Sequence, residues 1–118
     1  MRTTQTIIAR PTLALSVRQP WCELILLGRK TIECRTRPTN IRGPVWLYAS
    51  LGRYSADDEA EWTEEYGLDV AGLPRGLLVG TVEIFHCDGC DWHLGAPVRL
   101  KRPIKPAKHP QPVWFRPF

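Results

Sequence analysis

The sequence predicts a single α+β domain, built on a small curled sheet or barrel with two short flanking helices. The chain has 118 residues, 43% of them hydrophobic, which is enough for one core and too little for two. Segments with strand periodicity outnumber those with helical periodicity. The stretches between them leave little room for right-handed helical crossovers, which argues against a parallel α/β sheet. We therefore expect residues 1–118 to form one domain without a separate linker.

The chain begins with a strand candidate and a short helix candidate. Residues 12–17 carry apolar side chains at period two, which is typical of a strand. Pro20 suits a first helical turn, and an apolar stretch follows it as far as Leu27. Gly28 then suits the left-handed residue that commonly ends a helix. We therefore expect the first helix to end at Gly28.

A second helix and three more strands are expected in the middle of the chain. Ser55 followed by Asp58 resembles a capping box, which predicts a helix from there to about Tyr66, ended by Gly67. Three further segments have strand composition: residues 31–37, 45–50 and 77–85. The last of these is the most apolar, and we expect it to be a central strand.

The C-terminal part is rich in proline, with six prolines after Arg75. Proline lacks the N–H group that a central strand needs. Beyond Cys87 we therefore expect only edge strands and extended connections, with short pairing segments at residues 98–100 and 113–115.

The charges are distributed unevenly along the chain. Seven of the twelve acidic residues lie in residues 57–69, a window without lysine or arginine, so the rest of the chain has 16 basic and 5 acidic residues, a net charge of +11. This asymmetry is typical of a protein that binds a polyanion and turns its acidic helix away from it. A solvated basic surface without a partner is the alternative.

The sequence carries no membrane or secretion signal. No apolar run approaches the roughly 18 to 20 residues needed to span a bilayer. Residues 1–10 lack the apolar stretch of a signal peptide. We expect a cytoplasmic protein without membrane contact, in which the four cysteines are reduced thiols.

The segment GRKTIECR, residues 28–35, packs four charges into eight residues. In a strand, Glu33 and Arg35 share one face, and Ile32 and Cys34 would face the core. A structural interpretation makes Glu33 and Arg35 a surface ion pair worth about 0 to 1 kcal/mol. A functional interpretation makes Lys30 a phosphate or carbonyl contact and Arg35 a planar fork for an anion or base edge, both oriented by Glu33.

The pattern SVRQPW at residues 16–21, followed by Gly28-x-Lys30-x-x-Glu33-x-Arg35, resembles the GxKxxExR signature of the ASCH family. Residues 42–50, residues 78–83 and the late Trp114 also resemble that family, which belongs to the PUA-like superfamily of small β-barrels, several of which bind RNA. The resemblance implies a PUA-like barrel with a nucleic-acid or nucleobase-like ligand. It also implies one cleft formed by Arg18, Gln19, Lys30, Glu33 and Arg35, with Ser50 and Glu83 brought near from neighbouring strands.

We therefore predict that this basic cleft binds RNA, another single-stranded or modified nucleic acid, or a nucleoside-like small molecule. No cofactor is expected, and the sequence identifies no protein partner. Trp92, flanked by Asp91 and His93 in an expected loop, is the best candidate for stacking on a base, a contact worth about 1 to 3 kcal/mol. The basic residues 99–108 either protect a sheet edge or extend a track for phosphates.

An enzyme is the alternative. The ASCH resemblance includes an amidohydrolase branch that acts on N4-acetylcytidine with a lysine, a threonine three residues later and a downstream glutamate. Lys30 matches the lysine, whereas Glu33 stands at the threonine position and only Asp88 and Asp91 follow Glu83. A hydrolase of a modified nucleoside or of RNA would use Lys30 as base with Glu33 or Glu83 as the partner acid. Glu83 is equally explained as a buried ion-pair partner of Lys30 or Arg35.

Cys87-x-x-Cys90 has the spacing of a zinc knuckle, and His93 follows it closely. Zinc sites usually show a second ligand pair, and the sequence shows none. We therefore expect a tight turn with reduced thiols and no metal.

Overall fold

The structure is a computed structural model that describes residues 10–118. Its elements are β1 (Ala14–Val17), α1 (Trp21–Leu26), β2 (Ile32–Cys34), β3 (Gly43–Ala49), α2 (Ala56–Tyr66), a 3-10 turn (Val70–Gly72), β4 (Leu77–Asp88), β5 (Asp91–Ile104) and β6 (Trp114–Phe115). The predicted α+β class with two helices is confirmed. No helix within residues 10–118 has both the length and the apolar composition needed to cross a membrane.

The six strands form one mixed sheet in the order β2-β5-β4-β3-β1-β6. Strands β1 and β3 are parallel, and the other neighbouring strands are antiparallel. Strand β4 lies inside the sheet, as its apolar sequence predicted. The sheet has β2 at one end and β6 at the other, so the predicted barrel is not closed by backbone hydrogen bonds between the described strands.

The core is divided between the two faces of the sheet. On one face, α1 buries Cys22 and Ile25 against the sheet in a cluster that also contains Trp92. On the other face, a smaller cluster contains Tyr48 and Phe115. Because the apolar side chains of α1 are covered by the sheet, this helix fixes the position of the residues that flank it.

The helix ends follow the local signals in the sequence. Gly28 has a φ of +74° after α1, and Gly67 has a φ of +69° after α2, so both helices end at a left-handed glycine as predicted. Ser55 precedes α2, and its hydroxyl oxygen accepts a hydrogen bond from the backbone N–H of Asp58 at 3.0 Å. The predicted cap is therefore confirmed.

The Ser55 cap gives a first testable expectation. Ser55→Ala leaves a backbone N–H of α2 without its side-chain acceptor, and we expect a loss of about 1 kcal/mol in the free energy of unfolding, measured by urea denaturation. Ser55→Asp keeps an acceptor at the same position and should retain most of the stability. Equal stability of the alanine variant and the wild type would show that the cap contributes nothing.

The expectation of edge strands beyond Cys87 is wrong for residues 91–93, which have neighbouring strands on both sides, whereas β6 is a short edge strand at residues 114–115 as expected. Strand β5 is 14 residues long, contains Pro97 and Pro103, and lies between β2 and β4. The sheet tolerates these prolines because β2 pairs only with residues 91–93 of β5, so neither proline interrupts that ladder. The register of β5 against β4 is also irregular, with Ala96 at a φ of 47°. Bulges of this kind accommodate residues that cannot donate a ladder hydrogen bond.

Candidate functional site

A cleft of about 610 Å³ opens beside the C-terminal end of β1. Its lining comes from parts of the chain that are distant in sequence: Ser16 to Arg18, Trp21, Glu33 to Arg35, Tyr48, Ser50 to Gly52, Tyr54 and residues 109–113. Pockets that bind small molecules typically enclose about 300 to 1,000 Å³. The cleft therefore has room for one nucleotide-sized group.

Glu33 lies at one wall of the cleft between two cations. Its carboxylate is 8% exposed, with Oε2 2.6 Å from Arg35 Nε and Oε1 3.4 Å from Lys30 Nζ. Lys30 Nζ also donates to the carbonyl oxygen of Ile32 at 2.6 Å. A carboxylate this buried needs charged partners. The three side chains therefore form one fixed cluster with a net charge of +1.

Arg35 also connects two strands that are not neighbours in the sheet. It directly follows β2, and its Nη2 donates to the carbonyl oxygen of Ser16 in β1 at 2.9 Å. Its guanidinium carbon lies 5.7 Å from the ring centroid of Trp92. The side chain of Arg35 therefore spans the open side of the sheet, where no backbone ladder joins β2 to β1.

The predicted faces of β2 are wrong. We expected Ile32 and Cys34 to face the core, but Cys34 is exposed and lines the cleft, whereas Glu33 is buried. The reason is the pairing of β2 with β5, which sets Glu33 opposite Trp92 in the core. A hydrogen bond with Asp91 raises the pKa of the Cys34 thiol, which therefore remains protonated at neutral pH.

Arg18 is a cation of the cleft lining that has no ion pair within residues 10–118, and its side chain is exposed. Its guanidinium carbon lies 5.1 Å from the ring centroid of Tyr54, a cation–π contact. The Tyr54 hydroxyl in turn accepts a hydrogen bond from Trp21 Nε1 at 3.0 Å. The aromatic residue beside Arg18 is thus fixed by a hydrogen bond, and the Arg18 side chain lies in the cleft lining.

Hydroxyl groups supply the neutral polar part of the cleft. Ser50 lines it, as predicted, beside Tyr48. Burial raises the pKa of Tyr48, so this side chain stays a neutral phenol that can donate or accept a hydrogen bond. Ser16 Oγ donates to the carbonyl oxygen of Gln111 at 2.7 Å, which holds residues 109–113 along the rim.

Four of the predicted site residues do not line the cleft: Gln19, Lys30, Glu83 and Trp92. Gln19 is fully buried, where its Nε2 donates to the carbonyl oxygen of Pro74 and its Oε1 accepts from the backbone N–H of Glu23. Lys30 does not line the cleft and acts on it through Glu33. Of the predicted residues, the structure brings four together in the lining: Arg18, Glu33, Arg35 and Ser50.

The placement predicted for Glu83 is wrong. Its neighbours Val82 and Ile84 are buried, so the alternation of β4 puts Glu83 on the exposed face. Within the described residues it forms no ion pair with Lys30 or Arg35. The predicted catalytic combination of Lys30 and Glu83 is therefore not assembled.

The prediction that Trp92 is an exposed stacking residue is also wrong. Trp92 lies in β5 rather than in a loop, and it is 1% exposed. Its Nε1 donates to the carbonyl oxygen of Arg37 at 3.0 Å. Its ring stacks on Trp114 with centroids 5.7 Å apart and an interplanar angle of 10°. Trp92 therefore supports the wall of the cleft from the core.

The Cys87–Cys90 segment forms the turn between β4 and β5. Asp88 pairs with Asp91 across it, and Gly89 has a φ of +59°. This geometry confirms the expected tight turn. The thiols of Cys87 and Cys90 are both free. Across residues 10–118, no group of three His, Cys, Asp or Glu side chains is arranged to hold a metal ion.

Sequence reasoning missed several parts of the cleft. Tyr54 and residues 109–113 were not predicted to line it, and Gly52 was not singled out at all. The available signal for Tyr54 was its position immediately before the helix cap at Ser55. Residues 109–112 carried no signal, since tertiary contacts such as those of Ser16 with Gln111 and Val113 bring this segment to β1.

Comparisons with known proteins bear on the same region. The family model for the ASCH domain matches residues 15–96. Two similar proteins are activating signal cointegrator 1 of Homo sapiens and of Mus musculus, each 35% identical to this chain over 80 residues. The aligned stretch covers 62% of this chain, and the chain spans only 14% of each of these relatives.

Proposed function

The chain belongs to the ASCH domain family, a family with a PUA-like fold, and from this premise we propose that its cleft binds single-stranded nucleic acid, with RNA as the preferred ligand. The observation that carries the proposal is Arg18, an exposed cation that lines a cleft of about 610 Å³ and has no ion pair within residues 10–118. Arginine forms strong, charge-assisted hydrogen bonds with phosphate oxygens.

The charges around the cleft support a path for the strand. Helix α2, which carries six of the twelve acidic residues, packs against Trp21 through Trp62, with ring centroids 4.9 Å apart. Residues 99–108 lead directly to the rim at residues 109–113. All five of their cations are exposed, and four of these have no ion pair within residues 10–118: Lys101, Arg102, Lys105 and Lys108. A polyanion is repelled by α2 and attracted by these cations, so the strand leaves the cleft over the rim.

Within the cleft, charged and neutral groups take different parts of a nucleotide. Arg18 contacts a phosphate. Ser50 and Tyr48 offer hydroxyl groups to a base edge, where direction and length of hydrogen bonds give selectivity. Glu33, held by Lys30 and Arg35, keeps the wall of the cleft in place. This assignment uses side chains whose hydrogen-bonding groups are not already taken up by the fold.

The geometry gives less support to a hydrolase. Lys30 Nζ is already ion-paired with Glu33 and donates a hydrogen bond to the Ile32 carbonyl oxygen, and Glu83 lies on the exposed face of β4. A general base needs direct reach to the substrate, and Lys30 is not part of the lining. Binding without turnover is therefore the function that we propose.

Fluorescence anisotropy of short, mixed-sequence, single-stranded RNA and DNA across a salt series tests the proposal. We expect salt-dependent binding by the wild-type protein. Arg18→Ala should weaken RNA binding about tenfold, because a hydrogen bond to a charged group contributes about 1.5 to 3 kcal/mol. It should also reduce the slope of log affinity against log salt by about 0.7, the value for one phosphate contact on a single strand.

Arg42→Ala is the matched control, because it removes an exposed arginine outside the cleft lining. It should lower affinity much less than Arg18→Ala. Equal losses in the two variants would mean that general charge, not the cleft, carries the binding. If neither polymer binds, a nucleoside-sized ligand replaces nucleic acid as the candidate, and turnover of N4-acetylcytidine is then the assay that decides between a binding protein and an enzyme.

A further inference from the structure

We infer that Gly52 is the positioning residue of Arg18, and that its missing side chain is what allows the Arg18 guanidinium to lie in the cleft ready for a phosphate. The inference rests on the proposed function and adds a residue to it. Gly52 lies in the loop after β3, 34 residues from Arg18 along the chain. It belongs neither to the GxKxxExR motif nor to any helix or strand.

The evidence is the close approach of the two residues. A Cβ atom at position 52 would lie 2.7 Å from Arg18 Nε and 3.1 Å from Arg18 Cζ. Both separations are well below van der Waals contact, so any larger side chain would displace the guanidinium. The guanidinium carbon also lies 5.1 Å from the Tyr54 ring centroid. Arg18 thus lies close to both the backbone of Gly52 and the ring of Tyr54.

The backbone itself gives no other reason for glycine at this position. Gly52 does not have a positive φ, unlike Gly28, Gly43 and Gly67. An L-residue can therefore adopt the backbone conformation of position 52 without strain. Because the atoms in the way belong to the end of a flexible side chain, Gly52→Ala should move Arg18 and leave the fold intact.

Displacing Arg18 matters because the neighbouring cations are already engaged. Arg35 uses Nε on Glu33 and Nη2 on the Ser16 carbonyl oxygen, and Lys30 Nζ contacts Glu33 and the Ile32 carbonyl oxygen. Arg18 has no such partner within residues 10–118. An arginine held against an aromatic ring loses less conformational freedom when it binds a phosphate, and this preorganisation strengthens binding.

The test is a double-mutant cycle with Gly52→Ala, Arg18→Ala and the combined variant, read by anisotropy of a fluorescein-labelled, mixed-sequence, single-stranded RNA across the salt series. We expect Gly52→Ala to weaken binding about tenfold and to lower the salt slope as Arg18→Ala does. The combined variant should lose nothing further, because both changes remove the same contact. Thermal unfolding should show the same melting temperature for Gly52→Ala and the wild type.

A second readout needs no ligand. In NMR spectra, the Tyr54 ring should shield the Arg18 Nε–Hε group in the wild-type protein, and Gly52→Ala should return that signal to the position of a solvated arginine. Gly72→Ala is the matched control. A Cβ there would meet the carboxylate of Asp69, again the end of a flexible side chain, but outside the cleft. It should change neither RNA affinity nor the Arg18 signal.

The outcomes separate the inference from the proposed function. If the wild type binds RNA and Arg18→Ala weakens it, but Gly52→Ala binds normally or the combined variant shows the product of both losses, the positioning role is overturned. An unshifted Arg18 signal in Gly52→Ala overturns it as well. If the wild type binds no nucleic acid, the proposed function fails and the role of Gly52 in phosphate binding fails with it.

Discussion

Trp92→Ala should lower the free energy of unfolding by about 3 to 5 kcal/mol, the usual cost of removing a large aromatic side chain from a core. The side chain is 1% exposed, stacks on Trp114 and donates a hydrogen bond to the Arg37 carbonyl oxygen. All three contributions are lost in the variant. For a chain of this size, the melting temperature should fall by at least about 10 °C, which circular dichroism and urea denaturation measure directly.

Trp92→Phe separates packing from the hydrogen bond, and it should lose clearly less stability than Trp92→Ala. Phe85→Ala is the matched control, because Phe85 is an aromatic residue of β4 that is 58% exposed. It should change the free energy of unfolding by no more than about 0.5 kcal/mol. If Trp92→Ala kept the wild-type stability and lost only RNA affinity, Trp92 would be a ligand-stacking residue after all.

Glu33→Gln is the change expected to have the next largest effect. It keeps the shape of the side chain and removes the charge that pairs with Lys30 and Arg35. Breaking a fully buried ion pair costs about 3 to 5 kcal/mol. Here the side chains of Lys30 and Arg35 are 24% and 20% exposed. Water can therefore solvate the cations that lose their partner, which lowers the cost of breaking the pair. We expect a loss of about 1 to 3 kcal/mol in urea denaturation.

Glu83→Gln controls for the loss of one carboxylate, since Glu83 is exposed and unpaired within residues 10–118. Its stability should stay within about 0.5 kcal/mol of the wild type. A combined Lys30→Met and Glu33→Gln variant should lose less than the sum of the single changes, because the pair is removed together. Strictly additive losses would mean that Lys30 and Glu33 do not interact in the folded protein.

The contacts of Glu33 and Arg35 indicate a structural role for the GxKxxExR motif in this chain. Its charges link elements of the fold: Arg35 joins β2 to Ser16 in β1, and Glu33 holds Arg35 and Lys30. The motif thus builds one wall of the cleft, whereas Arg18 is the arginine of the lining that has no ion pair within the described part of the chain. A Lys30 variant should therefore affect ligand binding through the position of Glu33 rather than through a lost phosphate contact.

The features predicted correctly are those in which a short stretch of chain decides the result. Gly28 and Gly67 end their helices, and the Ser55 hydroxyl caps the N-terminus of α2, because these effects depend on backbone geometry within a few residues. The apolar β4 became an inner strand, because a run of apolar side chains is stable only when both faces are covered. The family resemblance likewise depended on residues close together in sequence.

The wrong predictions concern residues whose burial depends on pairing with a strand that is distant in sequence. Glu33 faces the core because β2 pairs with β5 and sets it opposite Trp92, and the periodicity of β2 alone does not contain this information. Trp92 was expected in a loop because prolines follow it. The short β2 leaves the rest of β5 unpaired on that side, and the prolines are tolerated there.

The sequence by itself therefore determined the α+β class, the two helices with their ends, the excess of positive charge outside residues 57–69, and the family. Only the tertiary structure decided which cation stays free. Local spacing put Lys30, Glu33 and Arg35 within reach of one another, but the pairing of β2 with β5 buries Glu33 between the two cations, and Arg35 also donates to the Ser16 carbonyl oxygen. Arg18 has no such partner within residues 10–118, and Gly52, 34 residues away, leaves room for its guanidinium in the cleft. Contacts between residues so far apart in sequence form only when the whole sheet assembles, which is why local patterns do not reveal them.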